Sequence, residues 1–214
     1  MSLTLHFHPF ASYCQKVLVG LYELDVPFEK HLVDLADEHA RAAFLKLWPI
    51  GKFPVLYDSA RNLTVPESTI ILEYIDQHYA GTARLVPLDP DRARECRLRD
   101  RFYDLHVHVP MQKIVTDNLR PDGRRDPFGV EQARALLETA YAVADAQLRD
   151  TTWALSDDFS MADCAAAPAL FYANKVAPVG THPHLASYFE RLLARPSFAR
   201  VMYEAKPYES LFPG

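Results

Sequence analysis

The order of strand and helix signals before residue 80 constrains the fold most. Alternating apolar and polar residues at Leu3–Phe7 predict a strand, and apolar residues at helical spacing in Tyr13–Leu24 predict a helix. Further segments extend this order to βαβαββα, with the last two strands at Phe53–Tyr57 and Leu63–Val65 joined by a connection of hairpin length. The final helix is predicted at Ser68–Tyr79. This order predicts a small α/β layer.

The chain beyond residue 80 has a different pattern. Residues 81–90 contain two prolines, which predicts a linker. After residue 90 the apolar residues recur at helical spacing, and no segment has a convincing strand pattern. The first long helix is predicted at Asp91–Asn118, with a kink at Pro110. Ser160 and Asp163 fit a capping box at the start of an alanine-rich, buried helix. The sequence therefore predicts an α/β domain at residues 1–80, the linker at 81–90 and an all-helical domain at 91–214.

Composition argues against several classes of partner. The 23 basic and 28 acidic side chains are interspersed, so no polybasic surface for nucleic acid or acidic lipid is predicted. The three cysteines, Cys14, Cys96 and Cys164, lack metal-ligand spacing and are odd in number, which argues against a disulfide framework and a zinc site. The start of the chain does not resemble a secretion signal, and no apolar run is long enough to span a bilayer. We therefore expect a cytoplasmic protein with no membrane partner.

The junction between the first strand and the first helix has residues suited to holding an anion. A helix N-terminus presents unpaired N–H groups and a partial positive charge, and the hydroxyl of Ser12 can donate one further hydrogen bond. A bound thiolate fits this chemistry, because lowering a thiol pKa by about 2 corresponds to about 2.7 kcal/mol. Taken alone, Ser12 is more simply a helix cap.

Two further segments suit the parts of a peptide-like ligand. Phe53 precedes Pro54 and can present its N–H and C=O to a ligand, particularly if the peptide bond between them is cis. At the start of the third helix, Glu67 can accept from an ammonium group, and Ser68 with the helix N–H groups suits a carboxylate. A plain strand start and a helix cap are the alternatives when each segment is taken alone.

The order and spacing of these three segments resemble those of the cytosolic glutathione transferase superfamily. The first half is similar to its thioredoxin-like N-terminal domain, with Lys52–Val55 in the place of the cis-proline loop and Pro66–Ser68 in that of the γ-glutamyl site. The resemblance covers nearly all of the chain and its two-domain layout, as in bacterial members. Phe7 occupies the place of the activating hydroxyl in tyrosine-type members, so the chain is more similar to the serine-type branch.

The resemblance implies a set of glutathione contacts, namely Lys52, Phe53, Pro54, Glu67, Ser68 and His39. Glu67 and Ser68 would hold the γ-glutamyl group, and the backbone of Phe53 would pair with the cysteinyl part. Lys52 and, less directly, His39 would approach the glycyl end.

The catalytic residue implied by the resemblance is Ser12, which would activate the thiolate. In many members the activating serine or cysteine aligns with Ala11, which has no hydroxyl, and in others it is the next residue, here Ser12. Cys14 falls on the apolar face of the first helix, where a buried and unreactive thiol is expected.

The implied function is a glutathione transferase that conjugates glutathione to a hydrophobic electrophile, as in detoxification. Glutathione would be a cosubstrate, no metal would be required, and the protein would form a homodimer through the third and fourth helices. The alternatives are a glutathione-dependent isomerase or dehalogenase, and a non-catalytic glutathione-binding interaction module.

Several other side chains remain open to two interpretations. His106 and His108 are predicted to lie on different faces of one helix, so they do not predict a metal site. Four apolar or aromatic residues could line an electrophile pocket between the domains or simply belong to the hydrophobic core, namely Tyr103, Met111, Phe171 and Phe212.

Overall fold

Four strands form one mixed sheet in the computed structural model, which describes residues 2–213. They are β1 (Leu3–Phe7), β2 (Glu29–Leu32), β3 (Val55–Asp58) and β4 (Leu63–Pro66). The strand order is β2-β1-β3-β4, in which β1 and β2 are parallel and the other neighbouring pairs are antiparallel. The predicted order of elements is confirmed, although β3 begins two residues later than expected, after the proline.

Three helices accompany the sheet, namely α1 (Ser12–Glu23), α2 (Glu38–Leu47) and α3 (Ser68–His78). Successive residues of β1 alternate between buried and half-buried, as the sequence pattern predicts. The α1 and α3 helices pack against each other, and their apolar faces join β1 and β3 in one core. The fully buried side chains of this core include Leu5, Val17, Leu56 and Ile71.

The rest of the described chain is helical. Its helices are α4 (Pro90–Phe102), α5 (Val109–Asp117), α6 (Pro127–Gln147), α7 (Met161–Val176), α8 (Pro183–Ala194) and α9 (Pro196–Ala205), with 3-10 turns at Val179–Thr181 and Lys206–Leu211. Most residues of α7 are buried, and the predicted capping box at its start is confirmed. Within residues 2–213, each helix is too short or too polar to cross a lipid bilayer.

The long helix predicted at Asp91–Asn118 is interrupted. A π-helical segment at Tyr103–His108 separates α4 from α5, and Pro110 follows it in the first turn of α5. Because proline has no N–H to donate to the preceding turn, the regular hydrogen-bond pattern cannot continue through this position. The predicted disturbance at Pro110 is therefore present, but it takes the form of a widened helical segment. His106 is exposed and His108 is buried, as their spacing predicts.

A buried ionic cluster joins α1 to the helical part of the chain. The ammonium group of Lys16 lies 2.6 Å from a carboxylate oxygen of Asp100 and 2.8 Å from one of Asp104. It also donates to the Thr69 hydroxyl at 2.9 Å. Removing one partner of such a buried pair leaves an uncompensated charge, so the cluster holds α1 in a defined position against α4.

Candidate functional site

The N-terminus of α1 is open to a ligand. Ser12 is its first residue, Ala11 before it is extended, and no side chain caps the first turn. The unpaired N–H groups of this turn leave a partial positive charge beside the Ser12 side chain. The Ser12 hydroxyl makes its hydrogen bond with His108 instead of a backbone N–H, so the simple cap interpretation of Ser12 is wrong.

His108 reaches Ser12 from the helical part of the chain. It is the last residue of the π-helical segment, and its Nε2 atom forms a hydrogen bond with Ser12 Oγ. Its ring packs against Tyr13, with ring centroids 4.3 Å apart. Burial, and secondarily the positive charge of Lys16, lower the pKa of His108 to about 4. The imidazole is therefore neutral at neutral pH.

The loop before β3 presents a free stretch of backbone. The Phe53–Pro54 peptide bond is cis, and Gly51 has a positive φ of 69°, a conformation that glycine adopts without steric cost. Within residues 2–213, the backbone N–H and C=O of Phe53 make no hydrogen bond. Both groups are therefore available to pair with the backbone of a peptide-like ligand, in the way that neighbouring β-strands pair with each other.

A polar cavity of about 480 Å³ lies between this loop and the start of α3. Glu67 directly precedes α3 with a positive φ of 69°, and Ser68 is the first helical residue. Such a φ is uncommon for a residue with a side chain and is often found at binding sites. Arg101 and Asp104, which form an ion pair with each other, line the opposite side. The cavity thus offers anionic and cationic groups together with a helix N-terminus.

An apolar cavity of about 440 Å³ adjoins the polar one. Its lining comes from the loop before α1, from α5 and the turn after it, and from the chain end, including Phe10, Met111, Val115, Leu119 and Phe212. Ser12 and His108 also line it, and three residues line both cavities, namely Tyr13, Lys52 and Phe53. The two cavities therefore form one groove with a polar end and an apolar end.

The structure brings most of the predicted site residues to this groove. Four of them line the polar cavity beside Glu67, namely Lys52, Phe53, Pro54 and Ser68, and Ser12 lines the apolar one. His39 is exposed on α2 and lines neither cavity. Met111 and Phe212 line the apolar cavity, whereas Tyr103 and Phe171 do not.

The groove residues that were not predicted include Arg101, Asp104 and His108. All three lie at the end of α4 or in the π-helical segment. The spacing of these residues indicates only that some of them face the protein interior. It does not indicate which residues of the α/β part they contact. A long-range contact of this kind has no sequence signal in a single chain.

Cys14 does not take part in the groove. Its thiol is fully buried and accepts a hydrogen bond from the His8 N–H at 3.5 Å. Burial raises the pKa of Cys14 far above its ordinary value, so the thiol stays protonated. Any thiolate chemistry in this groove must therefore use a thiol that a ligand supplies.

Comparison with known proteins identifies relatives that match over most of the chain. The family model described as the glutathione S-transferase N-terminal domain matches residues 5–83, and that of the C-terminal domain matches residues 127–191. Glutathione S-transferase 3 of Zea mays is 31% identical over 210 residues, covering 94% of this chain and 93% of the relative. Glutathione S-transferase GstB of Escherichia coli K12 is 28% identical over 196 residues, covering 88% and 91%.

A solved structure shows the same architecture. The glutathione S-transferase of Methylobacillus flagellatus KT, crystallised with glutathione bound, superposes with a TM-score of 0.84 at 27% sequence identity. The superposition covers 94% of this chain and 98% of that one. The small sheet with its helices is thus the thioredoxin-like part of this architecture, and the helices that follow form the second part.

Proposed function

Since this chain belongs to the glutathione S-transferase family, we propose that it is a glutathione transferase of the serine-type branch. It binds glutathione at the polar end of the groove and conjugates it to a hydrophobic electrophile at the apolar end. The observation on which this proposal depends is the position of Ser12 at the α1 N-terminus, where it lines the apolar cavity directly before Tyr13, which lines both cavities. A glutathione thiolate held there would lie next to an electrophile in the apolar cavity.

The polar cavity matches the parts of glutathione in order. The carboxylate of Glu67 would accept from the γ-glutamyl ammonium, and Ser68 with the first N–H groups of α3 would donate to the γ-glutamyl carboxylate. The free N–H and C=O of Phe53 would pair with the cysteinyl backbone. Lys52 would face the glycyl carboxylate, with the more distant His39 as a further contact.

The cysteinyl sulfur would then lie beside Ser12. The hydroxyl and the helix dipole both stabilise the thiolate over the thiol, which lowers its pKa toward neutrality. The thiolate attacks the electrophilic carbon, and a carbon–sulfur bond forms as the leaving group departs with its electron pair. In an addition reaction, the electron pair of the opened π bond instead takes a proton from solvent. Phe7 is buried and has no hydroxyl to contribute.

The apolar end selects the electrophile by burial. Aromatic and aliphatic side chains dominate the lining, so flat or bulky hydrophobic molecules would lose water contact there and be held near the sulfur.

We infer that the protein works in a reducing cytoplasm, because Cys14, Cys96 and Cys164 are all free thiols.

Titration of bound glutathione tests the proposed function. We expect the ultraviolet absorbance of the thiolate, measured against pH with the pure protein saturated by glutathione, to give a thiol pKa about 2 below that of free glutathione. Binding with an unshifted pKa would contradict the transferase mechanism and support a non-catalytic binding module. A lowered pKa with turnover of a halogenated or isomerisable substrate alone would support the dehalogenase or isomerase alternative.

We also propose that the protein is a homodimer through α3 and α4. Three large apolar side chains on and directly after these helices are exposed, namely Ile70 at 53%, Leu98 at 65% and Leu105 at 49%. Ile70 and Leu105 also line the rim of the polar cavity. An exposed apolar patch beside a ligand site is typical of a subunit interface.

Sedimentation measurements check this interface. We expect the wild-type protein to sediment as a dimer and Leu98→Glu to sediment as a monomer, because a buried, unpaired carboxylate would oppose association. Leu136→Glu is the matched control, since Leu136 is 61% exposed on α6, far along the chain from the proposed interface. A Leu98→Glu protein that remains dimeric, or a wild-type monomer, would contradict the proposal.

A further inference from the structure

We propose that His108 is a positioning residue that donates its Nε2–H to Ser12 Oγ and thereby leaves the Ser12 hydroxyl proton for the glutathione sulfur. This inference rests on the proposed function, in which Ser12 stabilises the thiolate. It adds a residue of the helical part of the chain to the activating machinery. It also states which partner donates in the hydrogen bond between the two side chains.

The position of His108 is tightly held. The residue is 4% exposed, its ring packs against Tyr13, and it ends the π-helical segment that precedes Pro110. The hydrogen bond to Ser12 joins side chains 96 residues apart. Because His108 is buried and its ring packs against Tyr13, turning the ring away from Ser12 would disturb these contacts.

The protonation state of His108 follows from its surroundings. Burial disfavours the imidazolium most, and the nearby positive charge of Lys16 disfavours it further, so the pKa of His108 is lowered to about 4. Asp100 and Asp104 do not offset this effect, because they are already paired with Lys16. At neutral pH the ring therefore has a single N–H, on either Nδ1 or Nε2.

The second ring nitrogen decides between the two tautomers. Within residues 2–213, the buried Nδ1 atom of His108 has no hydrogen-bond partner. A proton on Nδ1 would bury an unpaired N–H, which native proteins avoid more strictly than an unpaired acceptor. The proton therefore resides on Nε2, and this N–H donates a hydrogen bond to Ser12 Oγ.

The direction of this hydrogen bond determines what Ser12 can do. With His108 as the donor, the Ser12 oxygen is occupied as an acceptor and its own proton points to another partner, which in the groove is the ligand sulfur. With the opposite direction, Ser12 would give its proton to the ring and have none for the thiolate. The two arrangements predict opposite effects of removing the ring.

Two polar substitutions of His108 separate these arrangements. In His108→Gln the amide nitrogen takes the place of Nε2 and can still donate to Ser12, whereas the shorter side chain in His108→Asn reaches only the place of Nδ1. We expect His108→Asn to raise the pKa of the bound thiol by about 0.5 to 1 and to lower kcat/KM for an activated aryl chloride about three- to tenfold, the worth of one hydrogen bond. We expect His108→Gln to stay within about twofold of wild type.

The thiol pKa is the readout that a purely structural role would leave unchanged. Adding His108→Asn to Ser12→Ala should change neither the pKa nor kcat/KM further, because His108 acts through Ser12. A lower thiol pKa in His108→Asn, or equal values in the Asn and Gln variants, would overturn the proposal and leave the transferase function standing. An unshifted pKa in the wild-type protein would instead contradict the proposed function itself.

Discussion

Replacing Ser12 by alanine is expected to raise the pKa of bound glutathione by about 1 to 1.5 and to lower kcat/KM about ten- to thirtyfold. The reason is that the hydroxyl would donate to the thiolate but much less strongly to the neutral thiol, so its loss destabilises only the reactive form. The α1 N-terminus would remain and preserve part of the stabilisation. Ultraviolet titration and initial rates with an activated aryl chloride measure the two quantities.

The control for this prediction is Ser12→Thr, which keeps a hydroxyl at the same position. We expect its rate to lie much closer to wild type than that of Ser12→Ala. Because Ser12 does not cap the helix, the alanine variant should lose no more stability than the lost hydrogen bond with His108 explains, about 1–3 kcal/mol. If the rate survives in Ser12→Ala while the melting temperature falls, Ser12 is a structural residue and the thiolate is activated by other groups.

Asp163→Ala is expected to lower the free energy of unfolding by about 3–5 kcal/mol. The Asp163 carboxylate is fully buried and accepts from the N–H groups of Ala154 and Ser160 at 2.8 Å, from the Ser160 hydroxyl at 2.9 Å and from the Tyr188 hydroxyl at 2.7 Å. Truncation would leave these buried donors without a partner. Urea unfolding followed by circular dichroism measures the change.

An exposed cap provides the comparison. Asp37 caps α2 through a single hydrogen bond from the Ala40 N–H at 2.7 Å, in an exposed position. We expect Asp37→Ala to cost about 1 kcal/mol, since water can satisfy the freed N–H. Equal losses in the two variants would mean that the buried network around Asp163 stabilises the protein no more than an ordinary cap does.

The sequence predicted the elements that local physics controls. The alternation of Leu3–Phe7 and the capping box of Ser160 and Asp163 depend on residues within one or two turns of each other, and both are present. The interruption near Pro110 was also predictable, because proline has no N–H to donate to the preceding turn, and this effect depends only on neighbouring residues. Its π-helical form was not, since surrounding helices select which irregular pattern the backbone adopts.

The candidate site was predictable to the extent that its residues belong to short motifs. Glu67 and Ser68 stand together at a helix start, and Phe53 stands before Pro54, so their placement at one groove follows once the strand order is known. His39 was predicted only because the family resemblance implied it, and the structure does not bring it to either cavity. The domain limits at residues 80 and 91 remain predictions.

By itself, the sequence determined the order of strands and helices, the helix caps and the residue types of the polar cavity. These follow from side-chain periodicity and from hydrogen bonds between near neighbours. Only the tertiary structure decided that His108 meets Ser12, because that contact depends on how α1 and the π-helical segment both pack against α7. The neutral state of the ring was decided there too, since burial and the Lys16 charge exist only after folding.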